Sequence, residues 1–332
     1  MTRLARWAVP LAAVALVMAY AYGRRPGPAP FTETRFLMDT LVTVTVWGPP
    51  EPEARAAADR AFAALAAVDQ EMARVEGTPL WELNRAGGGR VSEALASVLA
   101  DALAWARRTG GAFDPTVAPL LDLWDIPRGP HPPPSPLAVE AALSQVGWDR
   151  IRLDAGGRTV DLGRTRVDLG GIAKGWAIDR AAEALRTAGV TDFIVNAGGD
   201  LYVAGRRGDR PWRVGIQHPR DQDRFLRVVA PMEGALVTSG DYERFYEWEG
   251  RRFHHILDPR TGRPARGCQS VTVWAPTAVD ADALSTAVFV LGPEEGLRLL
   301  ETQPGVEGLV VAADGTVRET PGFARVAPEV RR

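Results

Sequence analysis

Between Ala235 and Ala265 the chain reads ALVTSGDYERFYEWEGRRFHHILDPRTGRPA, and this stretch constrains the fold more than any other. Strand-forming apolar and aromatic residues are set against turn formers in quick succession. Thr238, Ser239 and Asp241 bracket Gly240, which predicts a turn whose backbone N–H groups face a ligand. Phe245, Tyr246 and Trp248 then make an aromatic strand, and Glu249-Gly250 a hairpin turn. The return strand, Arg251 to Leu257, is closed by Asp258-Pro259-Arg260-Thr261-Gly262. Two of the chain's four histidines, His254 and His255, stand side by side on it. Neighbours on a strand point to opposite faces, so at most one of them faces a shared site. A plain hairpin with one histidine packed and the other exposed accounts for the same residues, and this window alone leaves both readings open.

With 332 residues there is room for one large domain or two ordinary ones. The net charge of −2 offers nothing to a polyanion, which argues against a nucleic-acid partner. One cysteine, Cys268, excludes an internal disulfide and a cysteine-rich metal site. Lys174 is the only lysine against 38 arginines. A compact ammonium retained in such a background points to a place a planar guanidinium cannot serve, although a chance surface lysine explains it too.

At the N-terminus Arg3 and Arg6 precede an apolar run from Trp7 to Tyr22, and Ala19-Tyr20-Ala21 forms a small-x-small cleavage site. Residues 1–22 therefore read as a signal peptide or an N-terminal anchor, and residues 23–34 as a linker. No cysteine follows the run, which rules out a lipoprotein anchor. The expected location is outside the cytoplasm: periplasmic, or on the outer face of the inner membrane.

From residue 35 onward the pattern predicts a single α+β domain to residue 322, with a mixed or antiparallel sheet and packed helices, then a short tail at 323–332. Phe36–Trp47 is predicted as a strand and 51–72 as an Ala-rich helix. Residues 75–90 read as a loop ending in three glycines, and Ser92 as the cap of a second helix. Asp114 is placed to cap a short helix at 117–124. The proline-rich residues 127–136 read as a surface loop. Val167–Asp179 is read as a strand, a glycine turn and the start of a helix to about Thr187. Further strands are expected near 193–195, 201–204, 212–216, 225–230, 234–238 and 271–274, then helices at 279–290 and 294–301 and a closing hairpin at 307–319.

Three constellations carry chemistry. The Gly-Gly pair in DLGGIAKG exposes N–H groups at a helix N-terminus, an anion site to which Lys174 adds positive charge. Gly198-Gly199-Asp200 is a second turn of this kind. Asp282 and Thr286, four residues apart on a helix, both offer oxygen to a hard cation such as magnesium, unless Asp280 or Asp282 merely caps that helix. Together they call for a phosphorylated ligand, a divalent metal and a possible acid–base histidine.

In order along the chain stand MDT at 38–40, GAFDPTVAPLLDLW at 111–124, VDLGGIAKGWAID, NAGGD, TSGDYERF, HHILDPRTGRPA and DADALSTAVFVLG. This series resembles the ApbE-type FAD:protein FMN transferases, periplasmic flavin-transferring enzymes, over about residues 35 to 320. The resemblance implies an α+β domain that binds FAD and Mg2+, passes FMN to a threonine hydroxyl of an acceptor protein and releases AMP. The acceptor would be a membrane redox-complex subunit or an FMN-binding domain. It further implies metal ligation by Asp282, Thr286 and the backbone carbonyl of Ala177, and flavin or adenine contacts from Met38, Ala112, Phe113, Asp114, Lys174 and Ile256. His255 would lie near the reacting phosphate, with either His255 or Asp282 as the base, and Gly198, Gly199, Thr238, Ser239 and Gly240 would bring backbone close to the ligand. The same site would serve an FAD pyrophosphatase giving FMN and AMP, or an exported protein that binds FAD without chemistry. The chain departs from the family at Met38-Asp39-Thr40, where Met-Gly-Thr is frequent. It departs again at Ala73, Val75, Gly77 and Thr78, where the family carries an S-x-aromatic and an Asp-Ser; Asn84 is kept, and Trp81 is placed to supply a stacking surface.

Overall fold

The computed structural model describes residues 29–154 and 156–330; the expected leader and residues 23–28 of the expected linker lie outside them. Eight strands form one sheet: β1 (Phe31–Leu37), β2 (Thr40–Trp47), β3 (Asp192–Ala197), β4 (Asp200–Ala204), β5 (Gly234–Gly240), β6 (Cys268–Ala275), β7 (Glu307–Ala312) and β8 (Val317–Glu319). Each pairs antiparallel with the next, so order in space is order in the chain. The alternation in β2 buries Val42, Val44 and Val46 on one face, where β3 adds Phe193 and Val195.

Three helices cover that face: α1 (Glu51–Met72), α2 (Ala173–Thr187) and α3 (Ala278–Leu291). Their small residues, Ala58 and Ala61 on α1 and Ala181 and Ala182 on α2, allow close approach, while Phe62, Leu65 and Phe289 fill the core. Burying each of these large side chains contributes roughly 1.5–3 kcal/mol. The opposite face is covered over β4–β7, where Leu201, Val203, Leu236 and Leu309 meet Trp212, Ile216, Val229 and Phe323. Over β1 and β2 it carries the exposed pair Phe36 and Leu41 and four threonines, whose hydroxyls bond across the strands: Thr32 to Thr45 at 3.3 Å and Thr34 to Thr43 at 2.9 Å. Among the described residues no helix is long and apolar enough to cross a membrane.

Four expectations need correction. The strand read at Phe36–Trp47 is a hairpin that begins at Phe31, inside the expected linker, because Met38 and Asp39 both take left-handed φ values (54° and 56°) and turn the chain. The Met38 N–H donates to Asp69 Oδ2 at 3.1 Å, tying that turn to the end of α1. Residues 79–86, read as loop, are a helix: Thr78 accepts from the Trp81 N–H and Pro79 occupies the first turn. Val167–Leu169 forms no strand. The expected tail belongs to the fold, since Phe323 and Ala327 are buried and the Val330 N–H donates to the Val228 carbonyl at 2.8 Å. Asp39→Gly is expected to stabilise the protein by about 0.5–1 kcal/mol, because glycine has no Cβ penalty at positive φ; urea denaturation reads the shift.

Candidate active site

Ahead of α2, Asp168 Oδ1 accepts from the Gly170 N–H at 2.8 Å and tightens the glycine turn. A Cβ on Gly171 would stand 3.2 Å from both the Phe113 ring and Thr286 Oγ1, so the backbone there lies directly against α3. Gly175 donates its otherwise unpaired first-turn N–H to Asp282 Oδ2 at 2.8 Å. A Cβ at 175 would overlap the Ala278 carbonyl oxygen, so only glycine lets α2 and α3 cross this closely. The N-terminus of α3 is capped from α2: Asp179 accepts from the N–H groups of Ala278 and Val279 at 2.8 and 2.9 Å. Neither Asp280 nor Asp282 acts as the cap. Asp280 is held by the Thr277 hydroxyl and, at 3.0 Å, by the Trp105 indole N–H, which leaves Asp282 facing inward.

Asp282 opens onto a cavity of about 430 Å3, within the range of small-molecule sites. The cavity gathers Ala112, Phe113, Asp114, Lys174, Asp200, Thr238, Ser239, His255, Ile256, Asp282 and Thr286 from segments far apart in the chain. Gly170 and Gly171, the proposed anion turn, line it too. The two histidines divide as the alternation predicts. His254 is buried, with Nε2 2.8 Å from the Ala265 carbonyl and Nδ1 accepting from the Ile256 N–H. His255 lines the cavity, and its Nδ1 lies 3.3 Å from the Arg244 carbonyl. Burial, and after it the Arg244 charge, push the His255 pKa down to about 3, so the ring is neutral at ordinary pH.

Carboxylates dominate the rest of the wall. Lys174 Nζ lies 2.5 Å from Asp200 Oδ2. Burial works against its ammonium, but the charges of Asp200, Asp282 and Glu243 outweigh it and raise the Lys174 pKa. Asp282 is raised as well, by burial first and then by Asp200. Glu243 is pushed up to about 7, again by burial first and then by Asp200. Groups perturbed in this way by burial and by one another are concentrated at functional sites.

Some sequence choices lie elsewhere. Thr238, Ser239 and Gly240 are not a turn but the end of β5, paired with Ser270–Thr272, because ladder bonding overrides their turn preference. From that strand the Thr238 N–H donates to Asp200 Oδ1 at 3.1 Å, and the Ser239 hydroxyl bonds that of Ser285 at 2.8 Å. A Cβ on Gly240 would overlap the Tyr242 ring. Gly198 and Gly199 turn β3 into β4 with φ of 66° and 103°, and what approaches Gly198 is Thr40 rather than the cavity. Met38 sits at its hairpin tip, outside the lining. Ala177 is fully buried inside α2, where its carbonyl belongs to the helical ladder; the backbone beside Thr286 is that of Gly171. Asp114 lines the cavity but caps no helix: its oxygens take the Thr116 N–H and hydroxyl and the Trp148 N–H. Trp81 is outside the cavity, under the Arg85 guanidinium.

Sequence reasoning missed Arg74, Asp122, Asp168, Glu243 and Arg244 as wall residues. Arg74 pairs with Asp122 and, at 3.1 Å, with Asp168, joining residues from three segments. Glu243 and Arg244 lay within the quoted TSGDYERF, and their place between a strand end and the hairpin bearing His255 was the available signal.

An antiparallel sheet under three helices thus brings a glycine turn, a lysine and an oxygen-rich helix face together in one cavity. The chain belongs to the ApbE family, whose model matches residues 38–310. It is 35% identical to an FAD:protein FMN transferase of Treponema pallidum (strain Nichols), over 91% of this chain and 90% of the relative. Identity to an FAD:protein FMN transferase of Klebsiella pneumoniae (strain 342) is 33%, over 89% and 86%. The crystal structure of the ApbE protein of Thermotoga maritima superposes with a TM-score of 0.83 at 33% identity, covering 90% of this chain and 99% of that one.

Proposed function

We propose that this chain is an FAD:protein FMN transferase whose active site is the cavity described above. The observation that carries the reading is the meeting of Lys174, His255, Asp282 and Thr286 in one cavity of an ApbE-family chain. FAD lies with its diphosphate toward Lys174 and the Gly170-Gly171 turn, and Phe113 and Ile256 supply apolar contact for its rings. A threonine hydroxyl of the acceptor protein attacks the phosphorus of the FMN half. A P–O bond forms to the threonine oxygen, the bond to the bridging oxygen breaks, and its electron pair leaves on AMP. The product is a phosphoester. We assign the threonine's proton to His255: with Nδ1 held at the Arg244 carbonyl, neutral Nε2 is left as the acceptor.

The donor set also fits magnesium. Asp282 and Thr286 present hard oxygens one turn apart in an acidic wall. Among the described residues no group of three or more His, Cys, Asp or Glu side chains could hold a metal ion, so the remaining ligands would be water and phosphate oxygens. Bound there, the ion would polarise the phosphorus and stabilise the leaving AMP. The apolar run at Trp7–Tyr22 supports a place of action in the periplasm or on the outer face of the inner membrane, with a membrane redox-complex subunit or FMN-binding domain as acceptor.

The test is intact mass of a protein domain bearing an acceptor threonine after incubation with this protein, FAD and Mg2+. The expected result is a covalent FMN increment with AMP released, lost in EDTA and restored by added magnesium. Free FMN and AMP beside an unmodified domain would make the protein a pyrophosphatase. FAD bound but intact would leave only a binding protein, and turnover unaffected by EDTA would remove the metal from Asp282 and Thr286.

A further inference from the structure

Three side chains with fixed positive charge line the cavity: Arg74, Lys174 and Arg244. Two are engaged. Lys174 is paired with Asp200, and Arg74 is held between Asp122 and Asp168. The guanidinium of Arg244 has neither an ion pair nor a hydrogen bond among the described residues. Arg244 is exposed at the mouth of the cavity, so its five N–H donors meet only water and are free to take the oxygens of an entering ligand.

The backbone of Arg244 is held in place. Its carbonyl accepts the His255 N–H at 3.1 Å and lies 3.3 Å from His255 Nδ1, so the backbone of one residue and the ring of the other are locked together. Its charge acts on that ring, being second to burial in keeping His255 unprotonated. We propose that Arg244 is a catalytic residue that grips the non-bridging oxygens of the phosphoryl group being transferred. The inference rests on the transferase reading. If His255 takes the proton of the attacking hydroxyl, the attacked phosphorus is one bond further on, and a guanidinium carried on the backbone that holds His255 reaches the FMN phosphate before the AMP phosphate. Two N–H groups of the planar fork match two oxygens of that phosphate. Arg244 keeps its protons throughout; the P–O bond to threonine forms and the bond to AMP breaks while the guanidinium holds the charge carried by the equatorial oxygens. Lysine, a point charge, cannot bridge two oxygens in the same way.

The experiment compares the full chain with R244Q, R244K and R244A, using FAD, Mg2+ and an acceptor domain that the wild type modifies. R244Q is expected to lower kcat by about 100-fold or more, the scale of a lost transition-state donor, while FAD affinity read by flavin fluorescence falls less than about tenfold. R244K should recover little of the rate, and added guanidinium should restore part of it to R244A, which a residue that only supports the hairpin would not allow. R244Q or R244K turning over within about threefold of wild type overturns the proposal. So does a loss in R244A that guanidinium leaves untouched while the thermal melt is unchanged. Should R244Q fail to fold, R244K and rescued R244A decide the matter. A wild type that cleaves FAD without transfer sinks the acceptor reading alone, since cleavage rates then judge Arg244. A wild type that binds FAD without cleaving it overturns both.

Discussion

Asp282→Asn is expected to lower FMN transfer on the order of a thousandfold or more in a protein that still folds. Asparagine keeps the volume and an oxygen for the Gly175 N–H, now 2.8 Å from Oδ2, but removes the charge a hard cation requires. Burial and the nearby Asp200 already disfavour that charge in the metal-free protein, so its loss should cost little stability there. A structural ion pair would show the reverse pattern, an unstable protein with its activity retained. Initial rates at saturating magnesium, set beside thermal melts, separate the two. Full transfer by the variant would remove Asp282 from the chemistry.

Gly175→Ala is expected to be severely damaging for a single methyl group. The added Cβ would overlap the Ala278 carbonyl oxygen and stand 2.8 Å from Asp282 Cβ, and backbone, unlike a flexible side chain, has nowhere to rotate. Either α3 moves off α2 or the variant unfolds; the expected loss is about 3 kcal/mol or more in urea denaturation. Transfer should fall with it, because the same shift displaces Asp282 and Thr286 from the cavity. Wild-type stability in Gly175→Ala would mean that the crossing gives far more easily than its packing implies.

Both residues were visible in the sequence as parts of motifs, yet only one of their roles was. The local pattern revealed the hairpin at 245–254, since Glu249 and Gly250 take the left-handed φ values (49° and 72°) that such a turn needs. It also revealed the division of labour between His254 and His255, because strand alternation is a local rule. What stayed hidden depends on distance along the chain. The cap of α3 comes from Asp179, almost a hundred residues earlier, so the first-turn aspartates of α3 itself were the natural but wrong candidates. Asn84 holds the segment before α2 by a reciprocal pair with the Val167 backbone, at 2.8 and 2.6 Å, and no periodicity announces such a bond. Thr238-Ser239-Gly240 looked like a turn because its residues prefer one; pairing with β6 decided otherwise. Arg74 illustrates the same limit at the cavity, where its partners Asp122 and Asp168 acquire meaning only once the chain has closed around them.

The serial order of the sheet has a consequence for how it is assembled. Its adjacent strands β2 and β3 set Val42 against Ala197, and no other pair of neighbours in the sheet is so far apart in the chain. On a growing chain the β1–β2 hairpin is therefore complete while its next partner has yet to be made, and closing that span carries the largest loop entropy in the sheet. Until then the free side of β2 is an open edge, a template for wrong partners. Two features already present limit the risk. Helix α1 follows after Gly48-Pro49-Pro50 and lays Phe62 and Leu65 over the apolar side, while the other side shows threonines already bonded to one another. The hairpin and its helix can thus wait as a unit with the valine face covered, leaving only Phe36 and Leu41 exposed on the outer side, until β3 arrives to seal the seam.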